Sequence, residues 1–307
     1  VFTLNSTESV AKQLSFSKKQ QGEQVILAYK WIDHYENEMQ LEASFLQKEF
    51  NAPFRLFKKY KPEIALRHIE MGLRKKIRSM SQRGAQVRIK KFQDNIEIIV
   101  KGKNKNLIEK VKRKALTTKF EIEQNYLLDT YYTLFVNTYG QTSIKPDHVR
   151  FAQESMSMLS PLNEHIVDHY SQYPIRSIVN YVLGFIQSIP YADLEDRQLT
   201  HGSGFSPPNR LLLENRGDCD SKTVLMAALM RGVFPRLGIS IILLPKHALL
   251  GIQIPHQKTD DYVEIDGAFY VLMEPTGPAM LPVATIADSS KKYIQNNAFS
   301  HQLIPVR

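Results

Sequence analysis

A chain of 307 residues with 43% hydrophobic and 23% charged side chains is long enough for about two domains with buried cores and is unlike a mainly disordered polymer. No apolar run reaches the roughly 18–20 residues of a membrane-spanning helix, and a single cysteine excludes an internal disulfide framework. The net charge of +9 is local, because residues 51–120 carry 21 Lys or Arg against 5 Asp or Glu and the remainder is net acidic.

In chain order, "QVILAYKWID" and "EMQLEASFLQ" within 24–47 alternate apolar and polar residues around a polar turn and read as a hairpin. From Pro53 to about Ser81, Phe54, Phe57, Ile64, Ile69, Leu73 and Ile77 fall mostly at three- and four-residue steps, which predicts a helix with Lys and Arg outward. "VRIKKFQ" and "IEIIVKG" flank Asp94-Asn95 as a second hairpin. A further helix is expected from Asn104 to about Tyr139, stopped by Gly140 and "QTSIKPD". These hairpins and helices make an α+β amino-terminal domain, residues 1–150. Residues 145–160 read as a linker with a helix, and 174–188 as a helix with Ile175, Ile178, Val179, Val182 and Ile186 on one side, opening a second domain at 151–307.

In "NRGDCDSKTVLMAALM" (215–230), Asp218 is a favoured N-cap and good helix formers follow, so Cys219 falls in the first turn of a helix. There the positive end of the helix dipole favours the thiolate, while Asp218 and Asp220 oppose it, so an activated thiol needs a base. His247 is the polar anomaly at the start of the strand-like "HALLGIQI". After a turn signal at Asp266-Gly267, "AFYVLMEPTGP" reads as a strand ending at Glu274, before Pro275 leaves the ladder. Nucleophile, base and carboxylate are the three roles of a thiol triad.

The ordered set "FIQSIPY" (185–191), "PPNRLLLENRGDCDSKTVLMAALM" (207–230), "GISIILL" (238–244), "HALLGI" (247–252) and "YVLMEPTGP" (270–278) resembles the bacterial transglutaminase-like superfamily over the last half of the chain. The resemblance implies a papain-like core in which a helix bearing Cys packs on an antiparallel sheet. It assigns Cys219 as nucleophile, His247 as base and Glu274 as third member, with no metal or cofactor. It implies a cysteine-dependent hydrolase of amide bonds in proteins or peptides, with acyl transfer to an amine or an inactive binding module as alternatives. Three features depart from the family. The third member is usually aspartate, which leaves Asp266 as a rival; the connection "RGVFPRLGIS" is longer; and no Gln or Trp close before Cys219 supplies a side-chain oxyanion donor, leaving Asn215 and Tyr191 as candidates beside the Cys219 amide.

A zinc site on Cys219 and His247 lacks further ligands at metal-binding spacing, and no phosphate-cradling glycine loop is present. Residues 51–120 are expected to meet an anionic surface or an acidic protein partner; no RNP, KH or zinc-finger pattern accompanies them, and nucleic acid is not the expected partner. The chain opens on Val1, which reads as a processed protein or an excised piece, and with the family's frequent export this places it in the periplasm or cell envelope.

Overall fold

The computed structural model describes residues 12–136, 140–192, 204–245 and 247–306. It is an α+β structure with antiparallel sheets. The chain opens on a meander, β1 (Lys12–Gln21), β2 (Gln24–Ile32) and β3 (Glu38–Leu46). On β2 the alternating Val25, Leu27, Tyr29 and Trp31 all point inward, and the register sets Tyr29 opposite Leu41 and Leu27 opposite Ala43 on β3. The expected hairpin is therefore present. β1 was not expected, because "KQLSFSKKQQ" is nearly all polar: it lies at the edge of the sheet with most of its side chains in water.

A short α1 (Gln47–Asn51) leads to turns, and the helix expected from residue 53 begins only at α2 (Pro62–Met80). Pro62 takes the first helical position, where its missing N–H costs nothing, and Phe54 upstream has a positive φ that no helix accommodates. The second hairpin follows as β4 (Ala85–Lys91) and β5 (Ile96–Gly102), then α3 (Lys105–Asp129), capped by Asn104, whose side chain accepts from Leu107 N at 3.0 Å. The helix expected to run to residue 139 stops ten residues sooner. Tyr131 turns the chain with φ +64°, and the aromatic and β-branched "YTLFV" pairs instead as β6 (Tyr132–Val136) with β7 (Thr142–Pro146); residues 137–139 lie outside the described residues.

Next come α4 (His148–Ser155), N-capped by Asp147, α5 (Ser160–Tyr170), α6 (Ile175–Ser188) and α7 (Pro208–Glu214). Then α8 (Cys219–Val233) is followed by β8 (Ile239–Leu244), β9 (His247–Ile252), β10 (Tyr262–Ile265), β11 (Ala268–Met273), α9 (Asp288–Gln295) and β12 (Ser300–Ile304). The last five strands form one antiparallel sheet ordered β10-β11-β9-β8-β12. Every side chain of β8 is buried and α8 is buried almost all round, so this helix is enclosed between the sheet and the other helices.

The hydrophobic clusters do not follow a cut at residue 150. One core joins the β1-β2-β3 meander to α6, α8 and the last sheet, with Tyr29 and Trp31 packed edge-on or tilted against Phe185 at 4.8 and 5.6 Å. Tyr29 Oη donates to the carbonyl of Leu212, and Tyr181 Oη to that of Gln40. A second core is confined to α2, β4, β5 and α3, around Ile69, Leu73, Val87, Val111 and Ala115. Residues 62–129 thus form an arm with its own core, and the meander packs with the later helices. The physical reason is the inward face of β2 and β3, whose aromatic rings need a cover that only the later helices supply.

Candidate functional site

Cys219 is the first residue of α8 and is buried. Asp218 caps the helix, its side chain accepting from Ser221 N at 2.9 Å, and Ser221 Oγ in turn accepts from Ser206 N at 2.8 Å, which fixes the approach to the cysteine. The amide of Cys219 is one of the first-turn N–H groups that a helix does not satisfy internally.

The position of this turn against the sheet follows from two bonds at opposite ends of α8. Near its carboxyl end, Arg231 donates to the carbonyl of Ile304, which lies opposite Ile239 where β8 begins and β9 ends. Near its amino end, Thr223 Oγ1 donates to the carbonyl of Ala248 at 3.1 Å. The helix therefore lies lengthwise along the β8–β9 hairpin, with Cys219 one turn beyond Thr223 towards the end where His247 starts β9; Ala248 and Leu250 face α8, while His247 alternates with Leu249 onto the other face of the sheet.

Strand register then brings in the carboxylate. Met273 is opposite Leu250, so the next step sets Glu274 across from Leu249, diagonal to His247 on the same face of the sheet. His247 Nε2 and Glu274 Oε1 are 2.5 Å apart. Glu274 Oε1 also accepts from Ser290 Oγ at 3.0 Å, and Oε2 accepts from Ala287 N, the cap of α9, at 2.8 Å. Burial works to raise the Glu274 carboxyl, but the bonds from His247, Ala287 and Ser290 overcome it and hold the group below the usual carboxylate range. An ionised Glu274 accepts only, so Nε2 donates in this bond and Nδ1 is the ring nitrogen left for a proton acceptor's role. Asp266 is excluded as the partner: it occupies the β10–β11 turn with φ +51°, at the other end of the six-residue β11, roughly 20 Å from Glu274.

A second polar group lies beside the cysteine. Cys219 Sγ is 3.5 Å from Asp220 Oδ1, and Asp220 Oδ2 is 3.7 Å from Nε2 of the buried His148, which stacks on Phe205. Burial, reinforced by the nearby Lys145, pushes His148 well below its ordinary value and keeps it neutral. Lys145 itself is lowered by burial to about 8 and donates to Gln302 Oε1 at 2.6 Å. Lys222, one turn past Cys219, is also enclosed; burial lowers it to about 7 against the attraction of Asp218, and its Nζ donates to the carbonyl of Ile189.

Of the two side chains considered as oxyanion donors, Asn215 is committed elsewhere: it exchanges two bonds with Gln13, at 3.0 and 2.6 Å. Tyr191 is placed differently. It forms a parallel bridge with Gly217 and lines a cavity of about 530 Å³ bounded also by Lys12 and Gln13 of β1, Ile189, Pro190, Gly277 and Pro278. The long "RGVFPRLGIS" connection is tied down by Arg231, which donates to the carbonyls of Pro235 and Leu237 at 2.8 and 2.6 Å. Residues that sequence reasoning missed support the carboxylate. Buried Gln187 donates to the carbonyls of Glu274 and Leu281, both at 2.9 Å, and its Oε1 pairs with His34 Nε2 at 2.9 Å, linking the meander to the site. Gln187, with Asn180 and Ser188, is one of the polar residues on the buried stretch of α6, which was the available signal; Ser290 and His34 carried none.

No protein-family model matches the chain, and neither the curated proteins nor the solved structures hold a match to it.

Proposed function

We propose that the chain is a cysteine-dependent hydrolase of amide bonds in proteins or peptides, with a transglutaminase-like arrangement of Cys219, His247 and Glu274. The observation that carries the proposal is the bond from His247 Nε2 to a clamped, ionised Glu274, which leaves Nδ1 as the base at the end of the sheet where α8 begins with Cys219.

In the proposed reaction the Cys219 thiol passes its proton to His247 Nδ1, and the sulfur bonds to the amide carbonyl carbon. The oxyanion that develops is met by the first-turn amide of Cys219. The imidazolium then protonates the departing nitrogen as the C–N bond breaks, leaving a thioester. Water, deprotonated by His247, attacks the thioester carbon, and the thiol is restored. An amine in place of water would make the same thioester the donor for acyl transfer; water is the acceptor always at hand. The cavity of about 530 Å³ beside Tyr191 has the volume of a side-chain or short-peptide subsite.

The test is the pH dependence of iodoacetamide alkylation at Cys219, read by mass spectrometry in the parent and in His247→Ala. The expected result is an apparent thiol pKa below the unperturbed value of about 8.5 that moves up in the variant. A thiol that stays inert, or whose titration ignores His247, overturns the hydrolase reading and leaves a binding module.

A further inference from the structure

The arm of residues 62–129 carries its charge unevenly, and the tertiary structure decides where it goes. α2 and α3 run antiparallel: Gly72 packs against Ile122, and Lys114 Nζ donates to the carbonyl of Ser79 at 2.7 Å. The carboxyl end of α2 therefore lies beside the amino end of α3, with the open end of the β4–β5 hairpin next to both, where Gly84 meets Leu107 and Gly102 meets Ile108. Segments 74–83 and 101–114, which together make this end, contain 12 Lys or Arg and one acid, Glu109. All 12 are exposed. Among the described residues only Arg74 of these makes an ion pair, with Glu70. The opposite end of the arm is where it joins the body: Tyr60 N donates to Tyr132 Oη, which donates to the carbonyl of Lys58, both at 2.9 Å. There the charge is balanced, since 58–70 and 117–129 together hold Lys58, Lys59, Lys61, Arg67 and Lys119 against Glu63, Glu70, Glu121, Glu123 and Asp129. With 1.5 Å per helical residue, the basic end stands about 25 Å out from that junction.

We propose that this end of the arm docks on an anionic lipid bilayer through its headgroups. Twelve like charges on one small unit repel one another, and an opposing surface of negative charge relieves the repulsion. The charges sit on the free end of a helix pair, a protruding shape that meets a plane. Eight of the 12 are lysines, hydrated point charges on long stems suited to a diffuse layer of headgroups, where a cluster of 4–8 basic residues is enough for binding. The two segments contain no aromatic residue to stack on bases or to anchor a protein partner. The arm's exposed Met71, Phe92, Leu116 and Phe120 lie outside them, so the contact is electrostatic and reversible by salt. It is independent of the chemistry proposed at Cys219.

The experiment is co-sedimentation of the intact chain with phosphatidylcholine vesicles, with and without phosphatidylglycerol. The parent is compared with a combined Lys75→Gln, Lys76→Gln, Lys103→Gln, Lys112→Gln variant and with a matched variant of the body, Lys19→Gln, Lys48→Gln, Lys258→Gln, Lys292→Gln. All eight side chains are exposed, and circular dichroism establishes that both variants fold. The expected result is binding to the anionic vesicles alone, abolished at high salt, weakened more than about a hundredfold by the arm variant and much less by the body variant. Equal binding to both vesicles, an unaltered arm variant, or no vesicle binding overturns the proposal. In the last case, duplex DNA and polyglutamate as probes tell whether the arm instead serves a nucleic acid or an acidic protein.

Discussion

The body of the molecule and its arm treat polar groups in opposite ways. Around Cys219, His247 and Glu274, charged and polar side chains are enclosed, and each carboxylate oxygen of Glu274 has a named donor. In the arm, the ionisable groups stand in water around a small apolar core, with few partners. A buried ion is fixed by the surroundings that desolvate it, so the body sets geometry; an exposed ion is free to meet a counter-charge, so the arm projects a field. Among the described residues the two regions are joined by the contacts of Tyr60 with Tyr132 and by the bond from Arg150 to the carbonyl of Leu128, and each should respond to mutation without the other.

The largest expected effect is in the body. Cys219→Ser should abolish iodoacetamide labelling and reduce any amide turnover by at least about a thousandfold, with the fold unchanged by circular dichroism. Glu274→Gln retains the shape but replaces the acceptor, and turnover should fall by about 10²–10⁴-fold, with the thiol pKa measured by alkylation moving up. Equal rates in parent and Glu274→Gln would remove the carboxylate from the site.

Leu73→Ala, in the arm's own core, should cost about 2–5 kcal/mol in the unfolding of the arm, measured by denaturant titration followed by hydrogen exchange. The alkylation rate of Cys219 should stay at the parent value. A coupled loss of thiol reactivity would break the division between the two regions.

A smaller effect concerns Lys222 and Lys145. Their folded pKa values, about 7 and about 8, lie below the ordinary 10.5, so between these limits the unfolded chain binds more protons and stability rises with pH. Thermal melts should therefore improve from pH 7 towards pH 10. Lys222→Met should flatten that rise and stabilise the protein at pH 7 by about 1–3 kcal/mol, less whatever is lost with the Ile189 bond. The smallest effect belongs to the arm surface: the four Lys→Gln changes should move stability by less than about 0.5 kcal/mol each.

Much of the fold was legible because its signals are local. Alternation on "QVILAYKWID", the Asp218 cap before Cys219 and the polar break at His247 within an apolar strand each depend on a few neighbouring residues. What misled were signals that tertiary contacts override. The aromatic and β-branched "YTLFV" followed a helix in phase with it and became a strand because "TSIKP" was available to pair. β1 is too polar to read as a strand and exists because β2 offers it a ladder.

The sequence by itself determined the residue types of the proposed site, the helix that carries Cys219, the strand that starts at His247 and the concentration of basic charge in one stretch. Only the tertiary structure chose Glu274 over Asp266, because strand register sets which carboxylate lies diagonal to His247. It alone joined the meander to the later helices, since an apolar face does not name its cover. It also gathered the charge of two distant segments at one end of the arm, because antiparallel helix packing relates residues that the sequence keeps apart.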